Sequence, residues 1–303
     1  MKNIFVILIF ILMTTNFILS APPAPGVITT NIPKDGVHKL PDVTALKLSG
    51  APLSDIALAM GTTGTKKIAV IFVYFTDKAF AGGEIDSYTN ATTGYLKRMV
   101  DFYSEASYGK LTLNLFIYTD TTTITNASGT GCPLSNTMGT YGSGVNEPNI
   151  EQLFTDAISA AGISQNNGTP LNSADDYHGL IVVHAGTGQE SENINANIWS
   201  LYMPFSISHA GFTEGCTVPA KELGTTKPFG VLCHEFGHHI GLPDLYDTSV
   251  SSNQSRVGEW DLMDYGAFVN DGDSPPHPST WCKAYLSWTS PTTVTTAIEL
   301  NIS

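Results

Sequence analysis

The stretch Cys233–Asp247, CHEFGHHIGLPDLYD, crowds three histidines, two aspartates and one glutamate into fifteen residues. Four residues along a helix advance about 400°. His234 and His238 therefore share a face, one turn apart. Two imidazole nitrogens so placed converge on a single ion at roughly 2.0–2.1 Å. Glu235 stands beside the first of them, where its carboxylate can take a proton from a water on that ion. This is the HExxH arrangement.

A catalytic zinc takes three protein ligands and keeps a fourth position open. Two residues are candidates for the third. Gly241 can adopt positive φ and turn the chain back, Pro243 stops the helix from resuming, and Asp244 follows. Glu259 is the alternative, but it needs a second helix, and VGEWDLMDYG around it lacks helical periodicity. The pattern favours Asp244. His239 points about 100° away from the ligand face and reads as a surface or supporting residue. Cys233 also faces away, as a core or disulfide residue, and His184 in VVHAG reads as structural.

Outward from this stretch, strands and helices alternate. KKIAVIFVYF (67–75 with Lys66) is a strand rich in β-branched and aromatic residues. NATTGYLKRMVDFYSEASYG places Leu96, Met99, Val100 and Tyr103 at helical spacing, with Gly109 as a stop. KLTLNLFIYT alternates as a strand does. Residues 119–148 read as a long loop holding Cys132. NIEQLFTDAISAAG is a second amphipathic helix, GLIVVHAGTG a buried strand, INANIWSLYMPF a further strand. KPFGVLCHEFGHHIG is a helix running from Pro228 to Gly241, and HPSTWCKAYLSW a last one. The order predicts an α/β or α+β domain over about 66–290.

The N-terminus, MKNIFVILIFILMTTNFILS, has the charge, apolar run and small closing residues of a signal peptide over 1–20. Its apolar run is too short to span a bilayer, so no stable membrane anchor is expected after cleavage. Residues 21–65 read as an extended arm or short pro-segment, and 66–303 as the catalytic domain. The net charge of −13, with no basic cluster, argues against nucleic acid as a partner. Four cysteines in an exported chain predict disulfides. Glu190, Glu192 and the NDGDS loop at 270–274 are acidic segments of the kind that sometimes hold calcium, but neither has EF-hand spacing, and both read as solvated.

The pattern HEFGHHIGLPD resembles the metzincin signature HExxHxxGxx(H/D), and HEFGHHIGLPDLYD resembles the immune inhibitor A family of secreted peptidases. KKIAVIFVYFTDK, DFYSEASYGKLTL, VVHAGTGQE, ANIWS, GEWDLMDYG and HPSTWCKAYLSW extend the likeness over about residues 66–290. The resemblance implies an α+β fold: a twisted mixed sheet with an active-site helix, and a small C-terminal subdomain containing a Met-turn. It implies His234, His238 and Asp244 as Zn2+ ligands, Glu235 as general base, and Met263 as the methionine beneath the metal. Tyr265, two residues on, matches a tyrosine that in some metzincins binds the tetrahedral intermediate; a packing role is the equal alternative. The implied activity is a secreted zinc endopeptidase acting on proteins or peptides, its substrate lying along an edge strand near 194–203. The competing reading is a catalytically inactive binding module on the same scaffold, which predicts damage to a ligand or to the glutamate; all are intact.

Overall fold

The alternation within Gly64–Tyr74 (β2) builds the centre of the sheet. Ile68, Val70 and Phe72 point to one face and Ala69, Ile71 and Val73 to the other, and all six are fully buried. A strand buried on both faces needs cover on both. The computed structural model describes residues 19–22, 61–119, 122–123, 130–142, 147–164, 177–247 and 255–290. Residues 1–18 of the signal peptide expected over 1–20, and most of the arm, lie outside them.

Among the described residues the other strands are Leu19–Ser20 (β1), Leu111–Thr119 (β3), Thr122–Thr123 (β4), Cys132–Pro133 (β5), Gly179–Thr187 (β6), Leu201–His209 (β7) and Phe212–Lys221 (β8). Their order is β1-β7-β8-β6-β2-β3-β4, with β5 added to β2. The β3, β2, β6 and β8 neighbours run parallel, while β7 and β1 run antiparallel. The helices are Glu84–Thr89 (α1), Tyr95–Ala106 (α2), Met138–Gly142 (α3), Glu147–Ala161 (α4), Gln189–Glu192 (α5), Phe229–His239 (α6) and Thr280–Tyr285 (α7). Residues of α2 and α6 pack with Ile68, Val70 and Phe72. Residues of α4 pack with Ala69, Ile71 and Val73 on the opposite face.

Five expectations change. The resemblance implies helices above the sheet, whereas here they cover both of its faces. Strand β8 was not legible, because Glu214, Gly215 and Pro219 interrupt its apolar run; it forms a hairpin with β7. Part of the expected loop at 119–148 is ordered, with Cys132 in β5 pairing beside Val73. The cysteines form no disulfide, and all four are buried. Cys132 packs in the cluster on one face, while Cys216, Cys233 and Cys282 pack in the other, so the sheet separates the first from the rest. Finally, in the full chain β7 is not an open edge, since Leu19 and Ser20, the last two residues of the expected signal peptide, pair with Tyr202 and Leu201. No helix among the described residues is long and apolar enough to cross a membrane.

His184 lies within β6 and is completely buried. Its Nδ1 sits 3.1 Å from the Ala185 carbonyl oxygen, and Nε2 has no hydrogen-bond partner among the described residues. Burial pushes the imidazole pKa down from 6.5 to about 4. A depressed folded-state pKa gives stability that is present above pH 6.5 and lost as pH falls towards 4. This one group is expected to remove on the order of 3 kcal/mol over that window. Urea unfolding of wild type and His184→Gln at pH 7 and pH 4.5 checks it. The variant should lose clearly less stability on acidification; equal losses would contradict the assignment.

Candidate metal centre

Every residue of α6 is buried, including His234, Glu235, His238 and His239. Ionisable groups are costly in such a place without partners. The helix is anchored by Tyr103 of α2, whose hydroxyl donates to the Cys233 carbonyl at 2.5 Å. It ends at Ile240, and Gly241 follows with φ of 104°. The Gly241 N–H donates to His238 O and the Leu242 N–H to Gly237 O, at 2.8 and 2.9 Å. Those two bonds are a Schellman closure, which a residue in the left-handed region permits. The chain therefore folds back under its own last turn and delivers Asp244.

The ligand-type atoms of His234, His238 and Asp244 lie within 4.8 Å of one another. The two Nε2 atoms are 3.1 Å apart, and Asp244 Oδ1 is 3.1 Å from each. On the far side of each ring, Nδ1 contacts a backbone carbonyl: Leu262 O at 2.9 Å for His234 and Leu242 O at 2.8 Å for His238. A carbonyl only accepts, so each Nδ1 carries the hydrogen and each Nε2 turns a lone pair inward. Zinc binds such atoms at about 2.0–2.2 Å, and three atoms at this spacing can all be reached at that distance. The donor set and its orientation thus fit the ion that the pattern implies.

The electrostatics separate the two acids. Burial opposes the charge of Asp244, but His238 and His234 outweigh it and hold the carboxyl well below the usual range. For Glu235, burial drives the pKa well up, and Asp244 and Glu190 add to it. The nearby backbone amides of Ala21 and Tyr202 act weakly in the other direction, without the alignment of a full hydrogen bond. Both Glu235 oxygens are buried without a hydrogen-bond partner among the described residues.

A segment far along the chain braces this cluster. Leu262 supplies the carbonyl that orients His234, and Met263 O accepts the Leu245 N–H at 2.8 Å. Met263 is fully buried, and a Cβ placed on Gly237 would lie 2.6 Å from its sulfur. Two aspartates hold the segment. Asp261 accepts from the Met263 and Ser279 N–H groups, both at 2.8 Å. Asp264 Oδ2 accepts from Ser255 Oγ and from three successive amides, Arg256, Val257 and Gly258, at 2.7–3.0 Å. Its Oδ1 accepts from the Tyr265 N–H at 2.8 Å. Sequence reasoning missed Gly237, Asp261 and Asp264. Their signal is the spacing in DLMD and the small residue inside HEFGH, which mean nothing until the two segments touch.

The remaining expected residues fall as follows. Glu259 is exposed on the 3-10 turn Gly258–Trp260 and does not join the cluster. Tyr265 begins the 3-10 turn Tyr265–Phe268 and is half-buried. His239 is not a surface residue: it is fully buried, with its ring edge-on to Tyr202 and Nε2 3.4 Å from His178 O. Glu190 is not solvated either, since it is fully buried. In the 270–274 loop, Asp273 is paired with Arg98 at 2.7 Å.

Residues 165–290 match the family described as the catalytic domain of immune inhibitor A peptidase M6. The pre-pro-metalloprotease PrtV of Vibrio cholerae serotype O1 is 32% identical over 125 residues, covering 35% of this chain and 13% of that protein. Immune inhibitor A of Bacillus thuringiensis subsp. alesti is 30% identical over 110 residues, covering 30% of this chain and 15% of the relative. The chain thus resembles the immune inhibitor A family of metalloproteases, and spans only a small part of the length of the curated relatives it matches.

Proposed function

From a buried His–His–Asp cluster in a chain that resembles the immune inhibitor A metalloproteases, we propose that this protein is an exported zinc endopeptidase. The observation that carries the reading is the convergence of His234 Nε2, His238 Nε2 and Asp244 Oδ1 at 3.1 Å spacing beside the unpartnered carboxyl of Glu235. In this reading His234, His238 and Asp244 hold the zinc, and Glu259 has no part in it. When bound there, zinc lowers the pKa of a water towards about 7 and polarises the scissile carbonyl. Glu235 accepts the proton that water loses on attack and passes it to the leaving amine. The C–N bond breaks and one water is consumed.

The environment of Glu235 suits that task. Burial raises its proton affinity, whereas a nearby dication acts in the opposite sense. The two influences oppose each other on a group that must both accept and release a proton. Met263 forms the packed floor of the site and Leu262 sets the His234 ring, which is the work of a Met-turn in a small C-terminal subdomain. Tyr265 remains a candidate for binding the tetrahedral intermediate. An extended peptide pairing with β7 would take the ladder now held by Leu19 and Ser20.

The test is casein hydrolysis by the purified protein, with and without a zinc-selective chelator. Hydrolysis that stops on chelation and returns with zinc is expected. Hydrolysis indifferent to the chelator, or none at all from the zinc-loaded protein, would reject the reading; the latter is what an inactive binding module predicts.

A further inference from the structure

The outward side of β7 runs beside the metal centre, since the Ala21 and Tyr202 amides that meet there both lie near the Glu235 carboxyl. In an antiparallel strand the N–H and C=O of one residue point to the same side, and the side alternates along the chain. Ser200, just before β7, shows which residues face away from β8. Its carbonyl accepts from the Ala21 N–H at 3.1 Å, and its own N–H donates to Glu190 Oε2, also at 3.1 Å. Tyr202 and Pro204 share that outward parity. The carbonyls of Ser200, Tyr202 and Pro204 can all accept from a peptide, but donors are scarce. Glu190 has taken the Ser200 N–H, and proline has none. Of these three residues, Tyr202 alone keeps a main-chain N–H for a peptide.

A side chain supplies the missing donor. Trp199 is 1% exposed, and its Nε1 donates to the Ala21 carbonyl at 2.8 Å. Residues 19–21 show how a strand sits there. Leu19 pairs with Tyr202 and Ser20 with Leu201, which brings Ala21 opposite Ser200. The Ala21 N–H meets the Ser200 carbonyl as in any ladder, but its C=O meets the indole in place of a main-chain amide. An indole N–H only donates, so what it recognises is a carbonyl.

We propose that Trp199 is a substrate-binding residue: its indole N–H takes the carbonyl of the peptide residue opposite Ser200, in place of the amide that Glu190 withdraws. Tyr202 both donates and accepts, and so sets the register of an extended peptide two residues away. The identity of the ligand as a substrate rests on the peptidase reading; the binding geometry does not.

The test is therefore peptide binding, which can fail independently of peptidase activity. The zinc-loaded full chain carrying Glu235→Gln, which halts hydrolysis in that reading, is titrated with a fluorescein-labelled alanine decapeptide. Leu-Ser stands at the centre of the peptide, repeating the Leu-Ser-Ala of residues 19–21. Analogues carry a thioamide, whose sulfur is a weaker acceptor, at one carbonyl each. Residues 19–22 of the chain compete with every analogue alike, so ratios of Kd within one protein are unaffected. A thioamide at the leucine, opposite Tyr202, and one at the alanine after serine, opposite Ser200, should each raise Kd about two- to tenfold. One at the serine, whose carbonyl faces away from β7, should not. Adding Trp199→Phe, or Trp199→Leu should the first not fold, should abolish the alanine effect and leave the leucine effect. An alanine thioamide as harmless as the serine one would overturn the proposal, as would an alanine effect that survives loss of the indole. No saturable binding of the all-amide peptide would overturn it as well. The expected pattern in a protein whose wild type leaves casein intact would reject the peptidase reading and keep Trp199 as a peptide-binding residue.

Discussion

Glu235→Gln is expected to lower casein turnover by about two to four orders of magnitude while the zinc content stays at the wild-type level. The amide keeps the volume of the carboxyl but cannot accept the proton from water. Retention of metal follows from the geometry, since Glu235 is no member of the His234, His238 and Asp244 group. The fold should also survive. The replaced carboxyl is completely buried and has no hydrogen-bond partner to lose among the described residues, so a neutral group there relieves a desolvation cost. Turnover and metal analysis on the same sample decide the matter. A variant with more than about a tenth of wild-type turnover would remove Glu235 from the chemistry; one that lost its zinc would make it part of the metal shell.

Asp244→Ala and Glu259→Ala are expected to differ sharply in metal content. Altering groups that merely orient metal ligands costs about 10–100-fold in affinity. Removing a direct ligand should cost at least the upper end of that range. After dialysis against a competing chelator, Asp244→Ala should retain little zinc, while Glu259→Ala should match wild type. The asymmetry has a structural basis. Asp244 Oδ1 lies 3.1 Å from both inward-facing histidine nitrogens, whereas Glu259 is exposed on its 3-10 turn. Loss of zinc from Glu259→Ala, with Asp244→Ala unaffected, would reverse the assignment of the third ligand.

The reading of the chain and its fold agree best where one segment contains its own explanation. The strands at Gly64–Tyr74 and Leu111–Thr119 and the helices at Tyr95–Ala106 and Phe229–His239 follow from local periodicity. Strand β8 did not, because Pro219 and Gly215 break its pattern, and its formation is driven by pairing with β6 and β7. The cysteines misled for a similar reason. An even count permits bridges, but which face of a sheet each thiol occupies is invisible in a count.

The amino-acid order alone dictated the one-turn spacing of His234 and His238, the helix stop at Gly241 and the return of the chain to Asp244, because these depend on helical pitch and on the backbone freedom of one glycine. Tertiary packing decided the rest. Leu262 orients a histidine 28 residues away, Met263 fills the space that Gly237 leaves, and Ser191 donates to Glu222, 31 residues further along the chain. Each of these is a contact between distant segments, set by how helices and strands bury their apolar faces, and no local pattern encodes it.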